Sequence, residues 1–525
     1  MKRHLKFIII KNCMFFLFPF LAFEEGLAKD KDNDTTFREA IKHFVPMQTF
    51  ETYTGKKIHL SDVIKSVGKH YPEILIAEKE VSIAQSDILA SQGSFDFKWN
   101  TYGTSNPLGY YVNDRVNTVV EKPTPYQGVS VFAGYRIGNG DFPVYEGKHF
   151  TSPLGEARAG VKIPLWRGRE IDESRVKLDQ AKLGKGRAYS HYESEKIRIY
   201  KTATQKYWEW VAAGRQYVII KNLLQLAKNR VIQIQGRLDA GDIPLIEKNE
   251  NDRAILEREV YLIEAERYLQ KTSLALALYY RNKNGNMYLP TPSQIPEQFP
   301  EVEEVSPKTL KEDVSKAWKK RPEMSVLELE KRKIRLDLEL QKNHLTPQVD
   351  LVVVGSQNMG KKRSQLDKYV DKEIAKLNST TTDNKDLIDR LLKPQVEVTV
   401  VLSVPIQARK QKGKIGSLSG KLSQLNQKSN LMHDKIRIEV QDAYSELENA
   451  KKEVIVAKKE AILAKKLEEM ERERFTLGES NLLIVNIREQ KTAEAAAKYI
   501  KSLAMRNIAY SFYLAATGEL LDKIP

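Results

Sequence analysis

One cysteine, Cys13, stands in 525 residues, which excludes a disulfide framework, a cysteine-based zinc site and a CxxC redox pair. The eight histidines are scattered, with no HExxH or HxH pair among them. No P-loop, GxGxxG or GxSxG motif is present, so the common nucleotide and hydrolase chemistries have no foothold. No acid–base or nucleophile cluster can be named. The sequence is therefore expected to be no enzyme, to use no cofactor, and to carry no catalytic or metal-binding residues. The mean hydropathy of −0.48 also argues against a bundle of membrane-spanning helices.

What is present begins with an address. Lys2, Arg3 and Lys6 precede the apolar runs 7–10 and 14–23, and Gly26-Leu27-Ala28 supplies small residues for cleavage. Residues 1–28 are expected to be a secretory signal peptide; an uncleaved anchor is the other reading. The net charge of +16 invites a nucleic-acid partner. The basic residues, however, alternate with Glu along segments such as 451–474, the pattern of solvated helix faces. No nucleic acid is expected.

The chain is written twice. Lys69-His70-Tyr71-Pro72-Glu73-Ile74 is echoed by Lys320-Arg321-Pro322-Glu323-Met324, and Val161-Lys162-Ile163-Pro164-Leu165 by Leu402-Ser403-Val404-Pro405-Ile406. Glu195-Lys196-Ile197-Arg198-Ile199 returns as Asp434-Lys435-Ile436-Arg437-Ile438. Arg237-Leu238-Asp239-Ala240-Gly241-Asp242 returns as Arg474-Phe475-Thr476-Leu477-Gly478-Glu479. All four echoes keep their order, which chance does not explain.

Each copy reads helix, strand pair, long helix, returning helix. In the first, spanning 29–284, the expected strands are about 95–104 and 156–166, the long helix 169–235 and the returning helix 243–282. In the second, spanning 307–525, the strands are 348–356 and 395–405, the long helix 410–474 and the returning helix 480–517. A proline-rich linker, 285–306, joins the copies and is expected to wrap the helices as a belt. The strands have the ~10-residue length of tilted membrane strands, although half-buried strands of a soluble sandwich would look similar. Each long helix would reach ~95–100 Å. Leu447, Ala450, Val454, Ala457, Ala461 and Ala464 follow coiled-coil spacing, as do Leu262, Ala265, Leu269, Thr272 and Leu276.

Four strands cannot close a barrel, and open edges in hydrocarbon leave backbone groups unpaired. Copies of the chain must therefore assemble. The preferred arrangement is a trimer with a twelve-stranded barrel, although strand count alone would also allow a dimer. Both helices of a copy leave the sheet on one side, so each copy needs an even number of strands. The alternating run Val129 to Ile137 would make three in the first copy. It is expected above the membrane or as the continuation of a neighbouring strand. The connections 105–155 and 357–393 read as polar outer loops.

The signal peptide, the doubled unit and the two glycine tips together resemble the TolC-like outer-membrane efflux family. The tips read Gly241-Asp242-Ile243-Pro244-Leu245-Ile246 and Gly478-Glu479-Ser480-Asn481-Leu482-Leu483. The resemblance implies an α+β membrane protein of the bacterial outer membrane. It would be a homotrimer whose twelve-stranded barrel, four strands per chain, continues into a periplasmic α-helical coiled-coil barrel. The protein would then be the passive exit duct of a tripartite efflux pump or type I secretion system. Its partners would be outer-membrane lipid, a periplasmic adaptor and an inner-membrane transporter. The other reading is a periplasmic coiled-coil adaptor or scaffold without a channel. Arg237, Leu238, Ala240, Gly241, Asp242, Arg474, Phe475, Leu477, Gly478 and Glu479 are the candidate adaptor-docking tips. Asp242 and Glu479 are expected to cap the returning helices. Where the resemblance implies constricting aspartates, this chain has Ile484 and Ile487, and the matching first-tip residues are Glu247 and Glu250. These four are the candidate entrance ring. The gate-locking aromatic position is Phe475, which has no hydroxyl.

Overall fold

The computed structural model describes residues 56–142, 151–152, 154–306, 309–360 and 393–523. The expected signal peptide, 1–28, lies outside the described residues, as does much of the loop expected at 357–393. Two short helices open the described chain, α1 (Leu60–His70) and α2 (Pro72–Gln92). Tyr71 breaks them because a proline at the first position of α2 disfavours helical backbone in the residue before it. Arg321 and Pro322 repeat the device between α5 (Leu310–Lys320) and α6 (Pro322–Asn343).

The strands are β1 (Lys98–Asn106), β2 (Asn113–Pro123), β3 (Ser130–Gly140), β4 (Glu156–Pro164), β5 (Gln348–Asn358) and β6 (Gln395–Ser403). They form one open antiparallel sheet in the order β1-β2-β3-β4-β5-β6. The sheet thus holds six strands where four were expected. The expected first pair, β1 and β4, is separated by a hairpin. The run around Val129 to Ile137 is a full strand, paired with β2 from Ser130 to Gly140 and with β4 from Ser130 to Arg136. Parity is kept by a strand gained within the expected loop 105–155, so the first half contributes four.

The sheet sorts its side chains in the opposite sense to a sheet folded in water. One face carries Trp99, Val116, Val120, Val131, Val398, Val400 and Leu402, all exposed, with Val398 and Val400 each 62% accessible. The other face buries Asn113, Glu156 and Asp350. There Glu156 pairs with Arg136, Lys162 meets Asp350 at 3.0 Å, and Arg158 donates to Asn117 at 2.8 Å. A soluble half-sandwich places its apolar face inward; this sheet places it outward.

Beyond the sheet run α3 (Glu173–Asp239, 67 residues) and α7 (Arg409–Thr476, 68 residues), each ~100 Å long at 1.5 Å per residue. α4 (Leu245–Ala277) returns along α3, α8 (Leu482–Thr517) returns along α7, and α9 (Leu520–Lys523) closes the described chain. The helix break at Tyr71 meets the C-terminal end of α4, where the Tyr71 and Tyr279 rings stack 5.2 Å apart. The short helices are thus placed end to end along a long one. In α7 the residues Leu447, Ala450, Val454 and Ala457 are buried, and in α4 Leu269, Thr272 and Leu276 are.

Midway along α3, Tyr207, Trp208, Trp210 and Val211 form the densest part of the core. The linker crosses this level. Ile295 seats on Gly214, where an added Cβ would stand 1.7 Å from the isoleucine Cδ1, so a larger residue there would have to push the isoleucine side chain aside. Phe299 stacks on Trp208 at 5.5 Å, and the carbonyls of Pro296 and Pro300 accept from Arg215 and Arg506 at 2.5 and 2.7 Å. Proline removes N–H donors but leaves its carbonyl, so these bonds run from arginine side chains to the linker.

Candidate functional site

Far from the sheet, the long helices reverse at two matching turns. At the first, Gly241 takes φ +78°, the Asp242 N–H donates to the Arg237 carbonyl at 2.8 Å and the Gly241 N–H to Leu238 at 3.0 Å. At the second, Gly478 takes φ +80°, the Glu479 N–H donates to Arg474 at 2.9 Å and the Gly478 N–H to Phe475 at 3.2 Å. Both are Schellman turns, whose left-handed residue favours glycine. Asp242 and Glu479 occupy the position after that glycine and do not cap the returning helices, which corrects their expected role. α4 begins only at Leu245, and α8 begins after Asn481, whose side chain accepts from the Ile484 N–H at 3.1 Å.

The two tips are joined. Glu247, in the first turn of α4, accepts from the Leu482 N–H at 2.9 Å, so a carboxylate of the first tip sits at the positive N-terminus of α8. Leu482 and Val485 pack with Ile234, flanked by Ile243 and Phe475. The Arg237 guanidinium lies 5.5 Å from the Phe475 ring centre. Phe475 therefore holds its neighbours by packing and a cation–π contact. Arg474 reaches the Glu479 carbonyl at 3.3 Å. Ala240 is the C-cap of α3 and Leu477 that of α7.

The four expected entrance residues do not share one environment. Glu247 is taken up by the α8 terminus. Glu250 is paired with Arg253 at 2.7 Å, and that hydrogen bond holds its carboxyl below the ordinary glutamate value. Ile484 and Ile487 remain partly exposed. Leu245, Ile246 and Leu477 are more exposed still, so the joined tips present apolar side chains beside charged ones.

About three turns from the tips lies a cluster that the sequence did not disclose. Glu489 of α8 has no exposed side-chain surface and is bound by three arginines from three other helices. Arg230 of α3 pairs with it, Arg258 of α4 meets it at 3.0 Å, and Arg472 of α7 meets it at 2.9 Å. Asn486 accepts from Arg230 at 3.1 Å and from Arg258 at 3.3 Å, and Arg258 also donates to the Leu223 carbonyl at 3.0 Å. Burial pushes the Arg258 guanidinium below its ordinary value, while Glu489 opposes that shift. One carboxylate thus ties all four long helices.

A cleft of about 670 Å³ between α2, α3 and α6 holds loose ion pairs, His191 with Glu80 at 3.8 Å and Arg187 with Glu330 at 3.7 Å. Among the described residues no group of three or more His, Cys, Asp or Glu could hold a metal ion. None of the described helices is long and apolar enough to cross a membrane.

The sequence matches no protein-family model, and no curated protein matches it. Solved structures do match over nearly the whole chain. A membrane protein from Pseudomonas aeruginosa aligns with a TM-score of 0.59 at 14% identity, covering 87% of this chain and 92% of that one. The MtrE outer-membrane channel of Neisseria gonorrhoeae, solved in its open state, gives 0.59 at 12% identity, covering 90% and 95%. The Campylobacter jejuni CmeC outer-membrane channel gives 0.56 at 12% identity, covering 90% of each chain. This chain shares the fold of the outer-membrane channels. At such low identity the likeness establishes the fold, and the side chains at the tips are this chain's own.

Proposed function

We propose that the protein is a homotrimeric outer-membrane duct that conducts substrates passively from a periplasmic pump to the exterior once its helical tips part. The observation that carries this is the inverted sheet, apolar outward and ionic inward, joined to rods ~100 Å long. A periplasmic scaffold folded in water gains nothing from exposing Val396, Val398, Val400 and Leu402 on one face. Hydrocarbon around that face removes the cost, and copies of the chain close the open edges β1 and β6.

The tips supply the docking end. Leu245, Ile246 and Leu477, with Arg237, Asp242, Arg474 and Glu479 around them, offer a mixed apolar and charged surface suited to a helical periplasmic adaptor that couples the duct to an inner-membrane transporter. Energy for transport comes from that partner. Glu247 and Glu250 act as structural carboxylates, engaged by the α8 terminus and by Arg253, before any role at the mouth. Membrane fractionation tests the proposal. Recovery in the outer membrane as a detergent-stable trimer is expected, and recovery as a soluble periplasmic monomer overturns it.

A further inference from the structure

The β2–β3 hairpin raises a question that the channel fold leaves open: whether it stands clear of the membrane or belongs to the wall. Three observations place it in the wall. First, it runs the full height of the sheet. β2 pairs with β1 from Lys98↔Glu121 to Asn106↔Asn113, and β3 pairs with β4 from Ser130↔Lys162 to Arg136↔Glu156. Each hairpin strand has 11 residues, enough for a tilted membrane strand.

Second, its turn lies at the helical end of the sheet. The turn is short and closed by the Thr124 N–H to the Val129 carbonyl at 2.9 Å. It packs on the segment between β4 and α3, where a Cβ added to Gly128, at φ +69°, would stand 2.4 Å from the Gly168 carbonyl oxygen. Outer-membrane barrels place short turns on the periplasmic side and long loops outside. The turn, residues 124–129, fits that rule on its side; of the connections at the other end 141–155 is long, while 107–112 is no longer than the turn.

Third, the apolar face continues across it, with charges only at its two ends, Lys122 near the turn and Asp114 at the far end. The cross-strand register aligns Trp99, Val120, Ala133 and Ala159 in one row, and Thr101, Thr118, Tyr135 and Ala157 in the next. On the opposite face the hairpin adds Arg115, Asn117 and Arg136 to the ionic lining that contains Glu156 and Arg158. A hairpin standing in water above the membrane has no reason to keep both faces in phase with the wall.

We infer that β2 and β3 are lipid-facing wall strands, so that each chain contributes six strands, the occupant of the hairpin's outer face is bilayer hydrocarbon, and a trimer closes an eighteen-stranded barrel. This rests on the membrane-duct reading above. Barrel diameter grows roughly linearly with strand number, so the barrel is about 1.5-fold wider than one of twelve strands. Arg115, Arg136 and Arg158 then line it.

The test uses the full-length protein in a Cys13→Ser background, reconstituted in phosphatidylcholine vesicles. Single substitutions Val116→Cys, Val120→Cys, Ala133→Cys and Asn117→Cys are spin-labelled, with Val398→Cys and Thr399→Cys in β6 as references. Collision with oxygen, which concentrates in hydrocarbon, is compared with collision with a water-soluble nickel chelate. Labels at 116, 120 and 133 are expected to match the oxygen-to-nickel ratio at 398, and the label at 117 to match that at 399. If 398 keeps its oxygen preference while 116, 120 and 133 favour nickel, the hairpin lies outside the wall and the inference falls while the duct remains. If 398 also favours nickel, the duct reading itself is overturned, and the inference with it.

Discussion

The sheet and the middle of the helical rod solve the burial problem in opposite directions. At the linker level, Tyr207, Trp208 and Trp210 are buried and the charged residues face out, as water demands. In the sheet, Val398 and Val400 face out while Glu156 and Asp350 are buried against cations. Two regions of one chain can differ so only if their surroundings differ. The proposed duct supplies that difference, with water around the rod and hydrocarbon around the sheet.

The Glu489 cluster is where the rod comes nearest to breaking its own rule, since it buries ions. Replacing Glu489 with Ala leaves three arginines facing an emptied site, and removing one partner of a buried pair costs about 3–5 kcal/mol. The thermal or denaturant midpoint of the purified protein is expected to fall accordingly, and an unchanged midpoint would show that the cluster is wetter than its burial suggests. The sheet offers the sharper contrast. Val400→Arg puts a charge on the outer face and is expected to cost about 2–4 kcal/mol, measured by urea titration of folding into bilayers. Thr399→Arg, one residue away on the inner face, is expected to cost far less. Equal costs at the two positions would erase the distinction between the faces.

Smaller effects separate the two tips. Asn481 caps α8, so Asn481→Ala is expected to cost about 1 kcal/mol; α4 has no side-chain cap to lose. The smallest effect concerns acid. Because Arg253 holds the Glu250 carboxyl below its ordinary value, its contribution to stability is full above that ordinary value and is lost as pH falls through the lowered one. Glu250→Gln is expected to flatten the acid limb of stability against pH, and an unaltered acid limb would assign that limb to other carboxylates.

Much of this was legible in the sequence because it depends on local rules. Gly241 and Gly478 announce their turns through the repeated Arg-to-acid motif, and Pro72 and Pro322 mark the helix breaks. The long helices follow from two proline-free stretches. The β2–β3 hairpin was harder to see because its outer face carries Thr118 and Lys122 among the valines, and its inner face is thick with Arg115, Asn117 and Glu121. That mixture reads as a polar loop until pairing supplies the register. Glu489 was invisible for a different reason. Its partners lie at 230, 258 and 472, on three other helices, and along the sequence each looks like an ordinary charge on a solvated face.

Single-channel current through the purified protein in planar bilayers tests the central claim most directly. The account predicts discrete conducting steps, with more frequent opening when Glu247→Gln loosens the contact between the tips. Protein that inserts into the bilayer yet passes no current in either form would contradict it.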